Sequence, residues 1–345
     1  MSSVWQGRRV MVTGHTGFKG AWLCAVLEKL GAEVTGLALA PEPGDNLFAM
    51  LDLAASSRLA DIRDVAAVAQ VVAEARPEVV LHLAAQSLVR KSYDQPFETF
   101  DVNVRGTLTL LQAVVDKAPA APVLVITSDK VYRNDNQGRS FLEGDALGGE
   151  DPYSASKAAC EIAVRAFADA KSLTVATARA GNVVGGGDFA QDRLLTDAWR
   201  AYTTRTPLTL RHPDATRPWQ HVLDVVFAYL RHAAQLLTDA DGAPVAVNIG
   251  PEAEPLTVSD ALAAFYSQLD WSPPRQVQSD AARPEKTRLD LDPGLALRAL
   301  GWRNRLSQPE ALHWAAQWYS AWHSGQNPVD ITSGQIEAYL NAHGS

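Results

Sequence analysis

The sequence predicts an α/β fold in which a doubly wound parallel sheet carries helices on both faces, followed by a smaller α/β domain. In the first half of the 345-residue chain, short β-branched runs alternate with segments of helix length, a pattern typical of parallel sheets. A glycine-rich turn joins the first strand to the first helix. We expect the first domain to cover residues 1–182 and the second to cover residues 183–345.

The predicted elements follow in order along the chain. The strands are short apolar runs at residues 8–13, 32–39, 58–62, 79–83, 123–128 and 174–179. The helices lie between them, at residues 18–30, 65–75, 96–117 and 153–170. Gly31 and Pro77 end the first two helices. A strand near residues 245–250 is expected to return to the first sheet.

Composition excludes several classes of protein. Hydrophobic residues make up 47% of the chain and charged residues 20%, as in globular domains. The apolar runs are strand-sized and the start is not signal-like, so we expect no membrane span and a cytoplasmic location. A net charge of -8 weighs against nucleic-acid binding. Cys24 and Cys160 are too few for a disulfide framework or a metal site, and we expect buried free thiols.

The turn after the first strand has the spacing GxxGxxG, with Gly14, Gly17 and Gly20. The first two glycines permit a tight turn and bring backbone N–H groups close to a pyrophosphate at a helix N-terminus. Gly20 lets the helix pack against the sheet. The strand–turn–helix context favours a Rossmann-type dinucleotide site of the short-chain dehydrogenase variant. The alternative is a purely structural turn.

The ends of the second and third strands bear on the choice of dinucleotide. Glu42 is the nearest carboxylate for the ribose hydroxyls, and no arginine stands there for a 2′-phosphate, so NAD is favoured. Asp61, followed by Ile62, is positioned to accept a hydrogen bond from the adenine amino group. Its alternative role is to cap the helix that begins at Val65.

Tyr153 and Lys157 lie one turn apart on the same face of a predicted helix. A free tyrosine has a pKa of about 10, and a lysine ammonium together with an oxidised nicotinamide would lower the tyrosine pKa. Lys157 could also bind the nicotinamide ribose. Ser128, at the carboxyl end of the fifth strand, completes the expected triad, because ligands of parallel sheets bind at that edge.

Two ionisable residues, Asp129 and Lys130, follow Ser128 directly. Hydride transfer alone has little need of them. Elimination of water does, because one group must remove a carbon-bound proton and another must protonate the departing hydroxyl. The pair therefore favours a dehydratase. The alternatives are a salt-bridged strand terminus, or an epimerase or reductase that does not use the pair.

These segments together resemble those of the CDP-glucose 4,6-dehydratases, a group of extended short-chain dehydrogenases/reductases. The resemblance runs from about residue 9 to about residue 319. It rests on Gly14–Gly20 (GHTGFKG), His82–Gln86 (HLAAQ), Thr127–Lys130 (TSDK), Ala178–Asn182 (ARAGN) and Thr216–Val222 (TRPWQHV). The lysine of TSDK is specific to this group, since the dTDP-glucose dehydratases carry glutamate there.

The resemblance implies that enzyme-held NAD serves a 4,6-dehydratase of a sugar nucleotide, with CDP-glucose as the expected substrate. Tyr153 would take the 4-hydroxyl proton during oxidation at C4, with Ser128 hydrogen-bonded to the oxygen. Lys130 would then remove the C5 proton while Asp129 protonates the leaving 6-hydroxyl. Hydride would return to C6, giving a 4-keto-6-deoxy sugar nucleotide. The alternatives are another nucleotide sugar, or a 4-epimerase or reductase.

The residues and the resemblance together assign the binding contacts. Those to NAD are Gly14, Thr16, Gly17, Phe18, Lys19, Gly20, Asp61, Ile62, Leu83, Ala84, Ala85, Asn103, Tyr153 and Lys157. Those to the sugar nucleotide are Gln86, Asn182, Arg193, Arg217 and Arg283. Asn103 would bend its helix and support Lys157, or else be a surface residue; Gln86 would face the hexose or make a structural hydrogen bond. A homodimer through the helices at 96–117 and 153–170 is also implied.

Overall fold

The structure, a computed structural model, describes residues 2–134, 138–278 and 289–342. The strands are β1 (Arg9–Thr13), β2 (Glu33–Ala38), β3 (Ser56–Leu59), β4 (Val79–His82), β5 (Val123–Ile126), β6 (Val175–Ala180), β7 (Val183–Val184), β8 (Leu208–Leu210), β9 (Thr216–Arg217), β10 (Gln220–His221), β11 (Ala246–Ile249), β12 (Leu256–Thr257) and β13 (Arg275–Val277). The helices are α1 (Ser2–Trp5), α2 (Phe18–Lys29), α3 (Leu47–Met50), α4 (Val65–Ala75), α5 (Val89–Asp94), α6 (Pro96–Phe100), α7 (Thr107–Lys117), α8 (Pro152–Lys171), α9 (Leu194–Thr204), α10 (Val222–Thr238), α11 (Val258–Tyr266), α12 (Gly294–Leu300), α13 (Gln308–His323) and α14 (Pro328–Asn341).

Seven of these strands form one sheet in the order β11-β6-β5-β4-β1-β2-β3, and every neighbouring pair is parallel. The direction of winding reverses between β1 and β4. Ligands of doubly wound sheets bind at the carboxyl ends of the strands beside such a reversal. The predicted parallel sheet is therefore confirmed, and the strand expected near residues 245–250 is β11, paired with β6.

The core lies in two layers, one on each face of the sheet. Val10 and Val12 of β1 belong to one apolar cluster, together with buried residues of α2 and α10. Met11, between them, belongs to the other cluster, together with residues of α4, α7 and α8. This alternation follows from the two-residue period of a strand. It explains why the strands are apolar on both faces, as a buried parallel sheet requires.

After β6 the chain builds small two-stranded pairings, β7 with β10, β9 with β12 and β8 with β13, among α9, α11 and α13. This part meets helix α2, which covers one face of the large sheet, at Gly186, whose carbonyl accepts from Trp22 Nε1 at 3.0 Å. A β-carbon at Gly186 would collide with Trp318 of α13. The division at residue 182 stays a prediction. No helix within the described ranges is long and apolar enough to cross a membrane.

The third strand ends at Leu59, earlier than predicted, because the chain turns at Asp61 to begin α4. Asp64 is the N-cap of α4, and its carboxylate accepts from the N–H groups of Ala66 and Ala67 at 3.1 and 3.0 Å. The capping role considered for Asp61 therefore belongs to Asp64.

We expect Asp64→Ala to lower the free energy of unfolding by about 1 kcal/mol, because two N–H groups lose their acceptor. Urea denaturation would measure the change, and turnover should stay that of the wild type. Asp64→Asn keeps an acceptor and should retain most of the stability. If the alanine and asparagine variants have the same midpoint as the wild type, the cap does not stabilise α4.

Candidate active site

The turn between β1 and α2 forms a cradle of backbone groups. Gly14 has a φ of +74°, and a β-carbon there would lie 2.8 Å from the backbone nitrogen of Ala84. Gly20 packs against the Gly14 carbonyl so closely that no side chain fits. Helix α2 begins at Phe18 with Gly17 as its N-cap. The glycines therefore let the turn pack tightly on its own backbone, and the first N–H groups of α2, which have no partner within the helix, are of the kind that binds a pyrophosphate.

The strands on either side of this cradle are joined by a chain of buried hydroxyl and imidazole groups. His82, at the end of β4, is hydrogen-bonded to Thr13 at 2.6 Å and to Thr107 at 2.9 Å. Burial lowers the pKa of His82 to about 3, so the imidazole is neutral. Ala84 N donates to Thr13 Oγ1 at 3.2 Å. The segment Leu83–Ala85 is thereby held beside Gly14, as expected for residues that contact the dinucleotide.

The residues near the predicted adenine end of the dinucleotide lie at the carboxyl ends of β2 and β3. Thr16 Oγ1 donates to the Leu39 carbonyl at the end of β2, at 3.0 Å. The Asp61 carboxylate is bound by the Arg63 guanidinium, at 2.9 Å from Nε and 2.6 Å from the terminal nitrogen. These hydrogen bonds hold the pKa of Asp61 below its usual range. The Arg63 pairing was not predicted, and the contact of Asp61 with adenine stays a prediction.

Asn103 lies in a π-helical turn, Asp101–Gly106, that joins α6 to α7 within the single helix predicted at 96–117. Such turns widen a helix and are frequent at functional sites. Asn103 is buried, with 1% of its surface exposed, so the surface alternative is excluded. Its amide exchanges hydrogen bonds with the Gln86 backbone at 2.8 and 3.1 Å, and donates to Ser156 Oγ at 2.8 Å. It thus reaches α8 beside Lys157.

The Gln86 side chain makes structural hydrogen bonds. Its amide nitrogen donates to the Leu88 carbonyl at 3.1 Å and to Thr99 Oγ1 at 3.0 Å. Its amide oxygen accepts from Leu88 N at 2.7 Å. Of the two roles considered from the sequence, these contacts favour the structural one, because both amide N–H groups are already used.

The structure brings Ser128, Tyr153 and Lys157 together. Tyr153 and Lys157 are buried on one face of α8, opposite the end of β5. Lys157 Nζ donates to the Ile126 carbonyl at 3.2 Å. The Ser128 hydroxyl lies close enough to the Tyr153 side chain to lower the pKa of that phenol, and it donates to Asp129 Oδ1 at 3.0 Å. The predicted triad therefore has its three members in one place.

Burial dominates the titration of this group. It raises the pKa of Tyr153 to about 12, against the lowering effect of the Ser128 hydrogen bond. Burial also lowers the pKa of Lys157. Lys157 is not among the groups that shift the pKa of Tyr153 here, so the predicted lowering of that pKa by the lysine and the nicotinamide together stays a prediction. A phenolate at neutral pH requires the positive nicotinamide as well.

Asp129 and Lys130 lie on a 3₁₀ turn, Asp129–Val131, directly after Ser128. Asp129 is 3% exposed, and within the described ranges its Oδ2 has no hydrogen-bond partner. Burial raises the pKa of Asp129, although Lys130 and Arg217 oppose it. A buried carboxyl with a raised pKa is suited to donate a proton. Lys130 is half-buried beside it.

Lys19, predicted to contact the dinucleotide, lies within electrostatic reach of the reacting groups. Burial, together with the positive charges of Arg193 and Lys157, lowers the pKa of Lys19 to about 7. Asp129 acts in the opposite direction. The glycine turn therefore places a lysine that changes its charge near pH 7 within electrostatic range of Lys157 and Asp129.

The residues expected to bind the sugar nucleotide lie on the other side of Asp129. Arg217 is 7% exposed and donates to the Thr216 carbonyl at 2.8 Å. Arg193, at the start of α9, pairs with Asp188 at 3.3 Å. The Asn182 carbonyl accepts from Gln220 N at 2.9 Å, which joins β7 to β10. The last predicted contact, Arg283, lies outside the described residues.

A cavity of about 690 Å³ opens beside α9 and β8. Arg90, Arg200 and Arg211 line it, and sequence reasoning had singled out none of them. Arg90 and Arg211 both bind Asp192, at 3.4 and 2.9 Å, next to Arg193. Asp197 also lines the cavity, but the three arginines outnumber it, so the cavity is basic within a chain of net charge -8.

Comparison with known proteins identifies the family. The model of the NAD dependent epimerase/dehydratase family matches residues 10–250. The chain belongs to this family. It is 37% identical to the CDP-glucose 4,6-dehydratase of Salmonella typhimurium over 98% of each chain, and 27% identical to the dTDP-glucose 4,6-dehydratase 1 of Escherichia coli over 96% of this chain and 98% of that one.

Comparison with solved structures also supports membership of the NAD dependent epimerase/dehydratase family. DesIV, a dTDP-glucose 4,6-dehydratase from Streptomyces venezuelae solved with NAD bound, superimposes with a TM-score of 0.79 at 27% identity, covering 93% of this chain and 99% of its own. The cofactor of the family is NAD. The turn at Gly14 and Gly17 fits it, since the absence of a β-carbon at Gly14 lets the turn pack directly on the Leu83–Ala84 backbone and leaves the start of α2 free of side chains where a pyrophosphate would bind.

We expect Asp129→Asn to raise the free energy of unfolding at pH 7, because it removes a carboxylate that burial disfavours. The raised pKa of Asp129 means that the folded protein keeps this proton to a higher pH than the unfolded chain does. The contribution of Asp129 to wild-type stability therefore falls as pH rises above about 4, and the variant avoids that fall. Its advantage should shrink as the pH is lowered toward about 4.

Urea midpoints at several pH values would measure this difference. Asp116→Asn, at an exposed carboxylate on α7, is the control and should change neither the midpoint nor its pH dependence. An Asp129→Asn protein that is less stable than the wild type at pH 7 would show that the carboxylate is well solvated or paired.

Proposed function

We propose that this protein is a hydro-lyase that converts CDP-glucose into CDP-4-keto-6-deoxyglucose and water. The observation that carries the proposal is the junction of two sets of reacting groups on one strand-end turn. Ser128 joins Tyr153 and Lys157, the set that an oxidation needs. Asp129 and Lys130, the next two residues, supply the acid and base that an elimination needs. The similarity to the Salmonella CDP-glucose 4,6-dehydratase supports the choice of substrate.

Oxidation at C4 begins when Tyr153 takes the proton of the 4-hydroxyl. Ser128 donates a hydrogen bond to the same oxygen and holds it beside the phenol. Lys157, fixed by the Ile126 carbonyl, binds the ribose of the dinucleotide and favours the phenolate. NAD, when bound, accepts the hydride from C4 and later supplies the hydride for C6.

Elimination follows because a 4-ketone acidifies the neighbouring C5–H bond. Lys130 removes the C5 proton as a base. Asp129 donates its proton to the departing 6-hydroxyl, and the water forms there. A buried carboxyl with a raised pKa retains that proton at neutral pH better than an ordinary aspartate does. Because the two groups are adjacent in the chain, the base for C5 and the acid for the 6-hydroxyl lie on the same turn.

The arginines on the outer side of the turn bind the nucleotide half of the substrate. Arg217 and Arg193 contact the two phosphates, for which a guanidinium offers paired donors. The basic cavity lined by Arg90 and Arg211 lies further out and receives the nucleoside. This row of positive charge concentrates a doubly charged ligand on an otherwise acidic protein.

The same proposal includes a homodimer and a cytoplasmic location. Phe97 of α6 is 83% exposed and Ile162 of α8 is 60% exposed, and α6 and α8 pack side by side. Large apolar side chains that are exposed on neighbouring helices support an interaction surface there. Cys24 and Cys160 are buried free thiols, as in proteins of reducing compartments.

Incubation with CDP-glucose, dTDP-glucose and UDP-glucose, followed by mass measurement of the nucleotide sugars, tests the reaction and the substrate together. We expect CDP-glucose to lose one water and give a 4-keto-6-deoxy product with no net consumption of NAD. A product of unchanged mass would identify an epimerase. Water loss from dTDP-glucose or UDP-glucose, but not from CDP-glucose, would refute the choice of cytosine as the nucleobase of the substrate.

Lys130→Ala separates the two halves of the reaction. Without the base, the enzyme should still form the 4-keto nucleotide, two hydrogen atoms lighter than the substrate, but should stop before water is lost. Tyr153→Phe is the matched variant, and it should yield no 4-keto nucleotide. Rapid quenching and mass spectrometry would detect these species. Near wild-type turnover by Lys130→Ala would remove this lysine from the mechanism.

A further inference from the structure

A buried ion pair behind the reacting groups joins α8 to β6. The Glu161 and Arg179 side chains are 4% and 5% exposed. The guanidinium binds the carboxylate through two parallel contacts, Nε to Oε1 at 2.9 Å and the terminal nitrogen to Oε2 at 2.7 Å. A bidentate pair of this kind fixes both distance and orientation.

Glu161 also binds the beginning of the catalytic turn. It follows Tyr153 and Lys157 at intervals of four residues, so the three side chains share one face of α8. Thr127 Oγ1 donates to Glu161 Oε1 at 2.5 Å. Because Thr127 immediately precedes Ser128, the serine end of the turn is tied to the helix that carries the tyrosine and the lysine.

Arg179 binds the other end of the turn. Its second terminal nitrogen donates to the Tyr132 hydroxyl at 2.7 Å, and that hydroxyl donates to Asn248 Oδ1 at 2.6 Å. The Tyr132 ring stacks on Phe141, with centroids 4.8 Å apart. Tyr132 lies two residues after Lys130. The lysine end of the turn is therefore held by the same ion pair, through Arg179.

These contacts have no part in the proposed proton transfers. A buried ion pair also adds little net stability, because desolvation of the two charges offsets their attraction. What distinguishes this pair is that it binds both ends of one short segment. Between those ends lie the reacting residues Ser128, Asp129 and Lys130.

We propose that Glu161 and Arg179, acting through Thr127 and Tyr132, are positioning residues that hold the Ser128–Lys130 turn against α8. This inference rests on the proposed function. The two links act on different steps: the Thr127 link holds Ser128 and serves oxidation, whereas the Tyr132 link holds Lys130 and serves elimination.

Tyr132→Phe tests the second link, because it removes one hydroxyl and keeps the stacked ring. We expect kcat to fall roughly 10-fold to 100-fold, the effect of misplacing a reacting group by a fraction of an ångström to about 1 Å, with little change in KM. Quenched reactions should contain more 4-keto nucleotide that retains its 6-hydroxyl than wild-type reactions do. Thr127→Ala should slow turnover without accumulation of the 4-keto nucleotide. Thr127→Ser keeps the hydroxyl and should restore the wild-type rate of turnover.

Tyr339→Phe is the control, since it removes another buried hydroxyl, one that donates to Asp224 at 2.7 Å far along the chain from the turn. It should leave the ratio of intermediate to product unchanged, with urea midpoints reporting any general destabilisation. Water loss by the wild type, combined with a Tyr132→Phe protein that turns over normally or slows without accumulating intermediate, would overturn the positioning role and leave the proposed function standing.

Discussion

The packing of α8 across the carboxyl ends of β5 and β6 determines most of the site. Lys157 is hydrogen-bonded to the last residue of β5, and Ser156 is held by Asn103. Since Tyr153 and Lys157 share one face of this helix, fixing the helix places the phenol opposite Ser128. The parallel sheet brings the glycine turn and the strand-end residues together, because the carboxyl ends of β1, β4 and β5 all lie at the same edge.

Much of this arrangement could be predicted from the sequence because it depends on local patterns. Alternating strand and helix segments predict the sheet, glycine spacing predicts the turn at Gly14, and the four-residue interval between Tyr153 and Lys157 predicts their common face. Sequence spacing places Asn103 within a helix, but only the structure places it in a π turn. That turn requires contacts with Gln86 and Ser156, which are distant in the chain.

Long-range pairing and burial could not be read from the sequence. Nothing in the sequence indicates that the Gln86 amide donates to Thr99, 13 residues further along the chain. The joint role of Glu161 and Arg179 depends on two segments that meet only after folding. Burial also outweighs the nearby Ser128 hydroxyl in setting the pKa of Tyr153, and the extent of burial is a property of the whole fold.

We propose that one turn, Ser128–Lys130, serves both an oxidation and an elimination on one bound sugar. The hydrogen removed from C4 must then return to C6 of the same molecule. The most direct measurement uses CDP-glucose carrying deuterium at C4, with the product examined by NMR and mass spectrometry. We predict deuterium at C6 of the 4-keto-6-deoxy product. Deuterium in free reduced dinucleotide, or its return to C4 in an epimer, would contradict it.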